Sequence, residues 1–346
     1  MRNLVIESLP LYNHAMQTLD RRTFLHVAAA GALSVIAPQK AESGNFIAKR
    51  FLAMSPRKTP FVTPNKDFYI VQCCGIKTVD AMNWSLPITG LVEKPLRLTY
   101  ADLLKRPSIE KMVTLQCIDN EVTGELMSNA VWKGVSLASL LNDAHVLSSA
   151  QDIVFHGADD YSDSITLDRA LHYDVFLAYQ MNGAQLPKEH GFPLRAVVPG
   201  LYGIKNVKWI TKIEVVGHDY KGYWQRKGWT DDATIKVKSR IDSPGHYNTI
   251  VAGQTFRGVA FAGYNKIRSV EISMDGGKRW MPTTLKPAAA PYTWTFWEYT
   301  WKNPQPGNFE VMTRAEDVIG RKQTDFIARP FPDGTSGLHS IIVFVE

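Results

Sequence analysis

The sequence predicts an α+β protein with two domains, a mixed α/β domain followed by an immunoglobulin-like β-sandwich. Three observations carry this prediction. The chain has 346 residues, which is long for one domain and suits two. Short strand-like and helix-like runs alternate from about residue 45 to residue 217, whereas strand and turn patterns dominate from Thr234 onward. The predicted boundaries are therefore 45–233 for the first domain and 234–346 for the second.

The N-terminal 41 residues have the pattern of an export signal. Arg21 and Arg22 come shortly before a weakly apolar run from Val27 to Ala37, which is about half the length needed to cross a bilayer as a helix. This arrangement resembles a twin-arginine signal peptide, with Met16 as the true start and cleavage near Ala41. We therefore expect a periplasmic protein that is exported already folded, which suits a cofactor inserted beforehand.

Charge and motif content exclude several functions. The net charge of +6 falls to +4 once residues 1–41 are removed, because four basic and two acidic residues are lost. Such mild basicity gives no support for a nucleic-acid partner. The sequence contains no CxxC, CxxCH, HExxH, GxGxxG or GxxxxGK[ST] pattern, so c-type haem, zinc and nucleotide sites of the usual kinds are unsupported.

Turn and cap signals define the elements of the first domain. The segment "SLPITGLVEKPLRLTY" predicts two strands joined by a turn, and "TYADLLKR" predicts a helix capped by Thr99. In "DVFLAYQMNGAQLP", the Asn182-Gly183 pair predicts a hairpin. These elements mix α and β structure without a regular βαβ repeat.

Alternating residues define the strands of the second domain. In "SVEISMDGGKRW", Val270, Ile272 and Met274 alternate with polar residues before a turn. Further strands are predicted in "QTFRGVAFAG", "YTWTFWEYTW", "GNFEVMTRAED" and "HSIIVFVE", with the spacing of a sandwich. The strand "YTWTFWEYTW" carries aromatic residues on both faces. One face fills the core, and the other, with Trp297, packs either on the first domain or on a second copy of the chain.

Cys117 in "VTLQCIDNEVTG" is the first candidate for chemistry. Its residue type allows a buried structural thiol, a nucleophile or a metal ligand. No protease-like signature surrounds His145 or His156, which disfavours a cysteine nucleophile. The residues alone leave the choice between core and ligand open.

Two blocks of sequence resemble the sulfite oxidase family of molybdenum enzymes. The motif "TLQC-x-x-N" precedes "VWKGVSLASLL", and "LAYQMNGAQLPKEHGFPLRAVVPGLYGIKNVKWI" is similar to the family over more than thirty residues. The resemblance continues through "HDYKGYWQRKGW" into the second domain. It implies a sulfite-oxidase-type molybdopterin-binding domain, a C-terminal dimerisation domain, and a molybdenum ion bound by the Cys117 thiolate and the molybdopterin dithiolene.

The resemblance also assigns the other site residues. It implies that Cys117 is the metal ligand and, with Tyr220, catalytic, while the cofactor contacts are His190, Arg195, Lys205, Lys208, Gly203 and Asn120. Molybdenum at high oxidation state favours thiolate sulfur. Arg195 lies in the apolar run "FPLRAVVPG" and needs a partner for its charge, which a cofactor phosphate would supply.

The chain departs from the family after "TPN-x-x-F". The sulfite and nitrate enzymes commonly carry an arginine and a histidine there, where this chain has Val71 and Cys73. Loss of each charge-assisted contact weakens anion binding by roughly 1.5 to 3 kcal/mol. The acidic Asp119 and Glu121 after the cysteine would repel a doubly negative substrate further if they face the pocket. Cys73 and Cys74 are adjacent, which disfavours a disulfide between them. They are either reduced core residues, or Cys73 lines the pocket.

The resemblance implies a molybdopterin-dependent oxidoreductase of class EC 1.8 that transfers an oxygen atom to or from a small substrate in a two-electron reaction. It is sulfite dehydrogenase-like, but the usual sulfite-binding arginine and histidine are missing. The alternatives are a sulfoxide-type reductase of the same family and a non-catalytic binding protein. Because no haem or flavin motif occurs, we expect an external electron partner, either a c-type cytochrome or a membrane haem subunit, and a homodimer is implied.

Overall fold

The computed structural model describes residues 55–346 and the backbone of Leu4–Val5. The rest of the predicted signal peptide (residues 1–41) lies outside the described residues. So do residues 45–54, where the first domain is predicted to start. Within the described part, no helix combines the length and the apolar character that a membrane span requires.

The first domain consists of two main sheets with short helices. Its helices are α1 (Tyr100–Lys105), α2 (Leu137–Ala144) and α3 (Leu167–Ala170). Its strands are β1 (Leu4–Val5), β2 (Val71–Gln72), β3 (Ser85–Gly90), β4 (Leu96–Thr99), β5 (Ser108–Gln116), β6 (Met127–Ser136), β7 (Asp152–Gly157), β8 (Ser162–Thr166), β9 (Phe176–Met181), β10 (Ala184–Gln185), β11 (Arg195–Val197) and β12 (Ile210–Val216). One sheet has the order β10-β9-β6-β5 with β11 beside β9, and the other has the order β4-β3-β12-β7-β8.

Local signals explain two of these elements. The Thr99 hydroxyl accepts a hydrogen bond from the Asp102 amide, and Asp102 accepts one from the Thr99 amide, which forms a capping box at the start of α1. Asn182 and Gly183 both adopt positive φ, of 52° and 76°, between β9 and β10. The predicted cap and hairpin are therefore confirmed.

The second domain consists of two sheets that share one core. Its strands are β13 (Lys238–Ser243), β14 (Asn248–Ile250), β15 (Gln254–Phe261), β16 (Ile267–Ser273), β17 (Met281–Pro282), β18 (Thr284–Leu285), β19 (Thr295–Trp301), β20 (Gly307–Asp317) and β21 (His339–Val345). One sheet has the order β13-β15-β19-β18 and the other the order β14-β21-β20-β16-β17. Phe256 and Trp297 from the first sheet meet Ile272 and Val343 from the second in an apolar core.

The aromatic strand β19 divides its side chains between two cores. Trp297 is 1% exposed and lies inside the sandwich, so the expectation that it packs on the first domain or on a second copy is wrong. The opposite face does meet the first domain, where Trp294 and Phe296 join a cluster with Ile118 and Tyr202. Because the strand alternates, one face serves the sandwich and the other the domain junction.

The predicted fold class is confirmed in part. A mixed domain precedes an all-β domain, as expected. However, the three helices of the described chain have six, eight and four residues, so the protein is mostly sheet. The apolar segments that alternate with turns fold as strands, and β7 and β9 are buried on both faces rather than at alternate positions.

Candidate active site

A cavity of about 700 Å³, including its open mouth, lies in the first domain. Its wall is formed by the segment around β2, the end of β5, the loop after β7 and the stretch from residue 190 to residue 209. Five of the eight predicted site residues line it together: Cys117, His190, Arg195, Gly203 and Lys208. Three strand ends and two short helical turns thus bring residues up to 91 positions apart into one site.

Cys117 lies directly after β5 on a turn that is held at both ends. Its amide donates to the Leu126 carbonyl at 2.9 Å, and its carbonyl accepts from the Asn120 amide at 3.1 Å. The Asn120 side chain closes the turn by accepting from the Leu126 amide at 2.9 Å. The Cys117 side chain forms no disulfide and is 6% exposed. The structure therefore places a free sulfur at a fixed position in the cavity wall.

Burial governs the charge of this sulfur. Desolvation raises the pKa of the Cys117 thiol to about 12, although the Asp119 amide and the charge of Lys238 oppose the rise. The thiol is therefore protonated at neutral pH in the protein alone. A bound metal ion deprotonates a coordinating thiol outright, so a thiolate here requires a metal.

The second domain reaches the turn of Cys117 with two side chains. The Thr335 hydroxyl donates to the Asn120 carbonyl at 2.8 Å. The Lys238 ammonium is 3.4 Å from the same carbonyl and 3.5 Å from that of Glu121. Lys238 is 5% exposed and forms no ion pair with any described residue. Burial lowers its pKa to about 7, with a further contribution from Arg240.

Two cations in the cavity wall, the buried Arg195 and the partly buried Lys208, also lack a carboxylate partner. Arg195 is 5% exposed and donates only to the carbonyls of Ala196, His190 and Asn206, at 3.4, 3.1 and 3.3 Å. The Lys208 ammonium donates to Gln72 Oε1 at 3.2 Å and to the Glu189 carbonyl at 3.1 Å. Burial lowers the pKa of Arg195 to about 10, and burial with Arg195 lowers that of Lys208 to about 7. Both side chains are therefore available to an anion.

His190 and Gly203 add neutral groups to the same wall. The His190 ring nitrogen Nε2 lies 3.1 Å from the Asn65 carbonyl, which requires Nε2 to carry the hydrogen and leaves Nδ1 as an acceptor. Burial, together with Arg195, lowers the pKa of His190 to about 4. A methyl group on Gly203 would lie 3.2 Å from Tyr69 Oη, so the glycine lets the backbone approach the cavity closely.

Three predicted site residues lie outside the cavity lining, and their roles as cofactor or substrate contacts stay predictions. The Lys205 ammonium is bonded to Asp163 at 2.8 Å and Asp231 at 2.6 Å, which satisfies its charge. The Tyr220 hydroxyl pairs with the Ser162 hydroxyl at 2.8 Å. Asn120 holds the cysteine turn, as described above. In this structure the three residues position the wall and do not face the cavity.

Several lining residues were not predicted. Tyr69, Asp159, Tyr161, Trp209 and Trp224 also line the cavity. Asp159 follows the end of strand β7, a position where polar residues often belong to a site, and this signal was present in the sequence. The other four are aromatic residues whose pattern does not distinguish a cavity wall from a core.

The structure contains a disulfide between Cys73 and Cys74, contrary to the sequence argument against it. Cys73 lines the cavity, as does Val71 two residues before it. Adjacency in the sequence is therefore no obstacle to bond formation in this turn.

The donor set of the cavity fits a molybdenum–molybdopterin cofactor. A soft sulfur ligand faces the cavity, and buried cations without carboxylate partners face it as well. These are the groups that a thiolate-bound metal and a phosphate-bearing pterin require.

Comparison with known proteins agrees with this chemistry. Residues 74–224 match the family model described as "Oxidoreductase molybdopterin binding domain", and residues 231–329 match "Mo-co oxidoreductase dimerisation domain". The fold and the site thus define a molybdopterin-dependent oxidoreductase with a molybdenum–molybdopterin cofactor.

The relatives give the family. The chain is 30% identical over 317 residues to sulfite oxidase of Gallus gallus, covering 78% of this chain and 69% of that protein. It is 30% identical to nitrate reductase [NADH] 1 of Oryza sativa subsp. japonica, covering 68% of this chain and 33% of that protein. The chain belongs to the sulfite oxidase family. It spans about a third of that nitrate reductase.

A solved structure shows the same fold over nearly the whole chain. The sulfane dehydrogenase SoxCD from Paracoccus pantotrophus superposes with a TM-score of 0.73 and 23% identity, covering 95% of this chain and 100% of the other. At this identity the likeness concerns the fold.

Proposed function

We propose that this protein is a periplasmic oxidoreductase that transfers an oxygen atom to or from a small substrate in a two-electron reaction, similar to a sulfite dehydrogenase. The observation that carries the proposal is the single cavity that combines the free sulfur of Cys117 with the unpaired cations Arg195 and Lys208. When bound, the cofactor supplies the two-electron oxygen-atom chemistry.

The residues of the chain then have distinct tasks. Cys117 holds the metal at a fixed point because its turn is bonded at both ends. Arg195 and Lys208 hold the anionic group of the cofactor, and neutral His190 offers Nδ1 as an acceptor. The apolar wall that includes Leu115 and Trp224 limits water in the site.

The substrate side of the cavity favours a second candidate. Val71 and the Cys73–Cys74 disulfide form wall where the sulfite and nitrate enzymes commonly carry charged or polar residues. A neutral oxygen donor such as a sulfoxide is not penalised by this loss of charge, whereas a doubly negative substrate is. A sulfoxide-type reductase of the same family is therefore the alternative.

The remaining features of the proposal concern location and partners. The twin-arginine pattern at Arg21 and Arg22 supports export to the periplasm. An external c-type cytochrome or membrane haem subunit exchanges the electrons. The second domain acts as an immunoglobulin-like dimerisation module, for which the family match over residues 231–329 is the support.

Metal analysis combined with two dye-linked assays tests the proposal. Native protein from a cofactor-competent host should contain about one molybdenum per chain, and the metal should be lost in Cys117→Ala. Sulfite oxidation and sulfoxide reduction are then measured on the same sample, and the faster reaction decides between the two candidates. Protein without molybdenum in either form contradicts the proposal and favours a non-catalytic binding protein.

A further inference from the structure

The Cys73–Cys74 disulfide contributes one of its two residues, Cys73, to the wall of the cavity. The pair follows strand β2 directly, and both residues are half-buried. Cys73 lines the cavity, and its sulfur lies 4.0 Å from Asp159 Oδ2. A reagent that enters the cavity therefore reaches Cys73.

A structural role does not explain this bond. A disulfide stabilises a fold mainly by closing a loop in the unfolded chain, and its effect grows with loop length. Here no residue lies between the two cysteines, so the loop is the shortest possible. The bond therefore holds no distant segments together. Its position beside the cavity suggests a chemical role instead.

The charges around the disulfide are mixed, since the Asp159 carboxylate lies 4.0 Å from the Cys73 sulfur and two lysines lie on the same side of the cavity. The Lys208 ammonium donates to Gln72 Oε1 at 3.2 Å, one residue before Cys73, and it has no carboxylate bonded to it. Lys77 and Lys208 both act electrostatically on Asp159 and lower its pKa, so they offset part of the negative charge that would otherwise repel a thiolate at Cys73. Thiol–disulfide exchange proceeds by attack of a thiolate, and access and local positive charge assist it.

We propose that the Cys73–Cys74 disulfide is a covalent docking site for a small thiol that enters the cavity. The thiolate sulfur bonds to Cys73 Sγ, the Cys73–Cys74 bond breaks, and its electron pair goes to Cys74 Sγ. The proton released by the incoming thiol ends on Cys74, so one thiol and one disulfide give one mixed disulfide and one thiol. The ligand is then fixed to the cavity wall that also carries Cys117. Apart from the incoming thiol, this exchange requires only residues of the chain. It does not depend on the proposed oxygen-atom transfer.

Peptide mapping of the native holoenzyme tests the proposal directly. The protein is incubated with reduced glutathione in the presence of free cystine, quenched with acid, alkylated and digested. We expect glutathione on Cys73, alkylation on Cys74 and an unmodified Cys117 before denaturation, because Cys117 is buried. A Cys73–Cys74 disulfide that survives while the cystine in the same tube is reduced overturns the proposal.

A matched pair of variants tests the direction of access. Cys74→Ser leaves a thiol that lines the cavity, and Cys73→Ser leaves one that does not. With glutathione disulfide as the probe, we expect the adduct to form roughly tenfold faster in Cys74→Ser. Equal rates in the two variants contradict docking from the cavity, even if both variants remain folded.

Molybdenum analysis of the same samples separates this proposal from the proposed function. Metal-loaded protein that forms no glutathione adduct overturns the docking site and leaves the oxidoreductase assignment intact. An adduct on Cys73 in a protein that never contains molybdenum supports the docking site and contradicts the oxidoreductase.

Discussion

Two groups of buried and partly buried cations in the first domain have opposite surroundings. Lys205 lies between Asp163 and Asp231, both within 2.8 Å of its ammonium. Arg195 and Lys208 lie in the cavity wall and contact carbonyls and one amide oxygen, with no carboxylate among the described residues bonded to them. A buried cation with internal partners serves the fold, whereas one without them indicates a ligand that brings negative charge.

The pKa shifts differ in the same way. Burial opposes the charge of Lys205, but Asp163 and Asp231 outweigh it and raise its pKa. Burial lowers the pKa of Lys208 to about 7, and no bonded carboxylate restores it. Whether each cation has a bonded carboxylate thus predicts whether its substitution will damage folding or cofactor binding.

The largest effect is expected from Cys117→Ser, which removes the sulfur but keeps the shape of the turn. Serine is a harder and less acidic ligand, so turnover and bound molybdenum should both fall to background while the protein stays folded. Metal analysis and dye-linked assays measure the loss, and circular dichroism serves as the control for folding. Full activity in this variant would remove the metal assignment.

Lys205→Met should mainly damage stability. The change leaves the fully buried Asp163 without its cation, which costs about 3 to 5 kcal/mol of unfolding free energy. Urea unfolding of the cofactor-free protein measures this loss. A stable variant that loses only molybdenum would place Lys205 with the cofactor contacts and break the comparison.

Arg195→Met should have the reverse profile. Because Arg195 is bonded to carbonyls and to no carboxylate, its removal should lower the stability of the cofactor-free protein less than Lys205→Met does. Cofactor affinity should fall by roughly 10- to 150-fold, the equivalent of about 1.5 to 3 kcal/mol. Molybdenum retained after prolonged dialysis measures the affinity. Arg195→Lys is the matched control, since it keeps the charge but not the planar donors, and it should retain part of the cofactor. Strong destabilisation of the Met variant would show that the arginine serves the fold.

The last prediction concerns the slope of stability against pH, which is the smallest effect when it is counted per pH unit. In the cofactor-free protein, the pKa of Lys208 is about 7, below its ordinary value of 10.5. Between these pH values the unfolded chain binds a proton that the folded chain does not, so stability rises with pH across this window by about 1.4 kcal/mol per unit. Lys208→Met should reduce the slope of unfolding free energy against pH, and Lys266→Met, at an exposed lysine, should not. Identical slopes in both variants would contradict an unpaired Lys208.

Sequence reasoning predicted the features that depend on local pattern. The alternation of Val270 and Ile272 predicted a strand, and the structure has β16 there. Thr99 predicted the start of α1, because this cap and its partner Asp102 lie within four residues of each other in the sequence. Cys117 and Arg195 were identified by their positions in sequence motifs, and both line the same cavity.

Features that depend on distant partners could not be predicted in this way. Lys205 resembles Lys208 in the sequence, but it is neutralised by Asp163 and Asp231, which lie 42 and 26 residues away along the chain. The assignment of Trp297 failed similarly, because only the packing of the two sheets determines which face of β19 is internal.

The bond from Thr335 to the Asn120 carbonyl spans 215 residues and links the C-terminal domain to the turn of Cys117. If a ligand at that turn strengthens the association of the two domains, the association must strengthen ligand binding by the same factor. A molecule that has released its metal should open at the domain boundary more readily, and proteolysis there would report the loading state of a site in the other half of the chain.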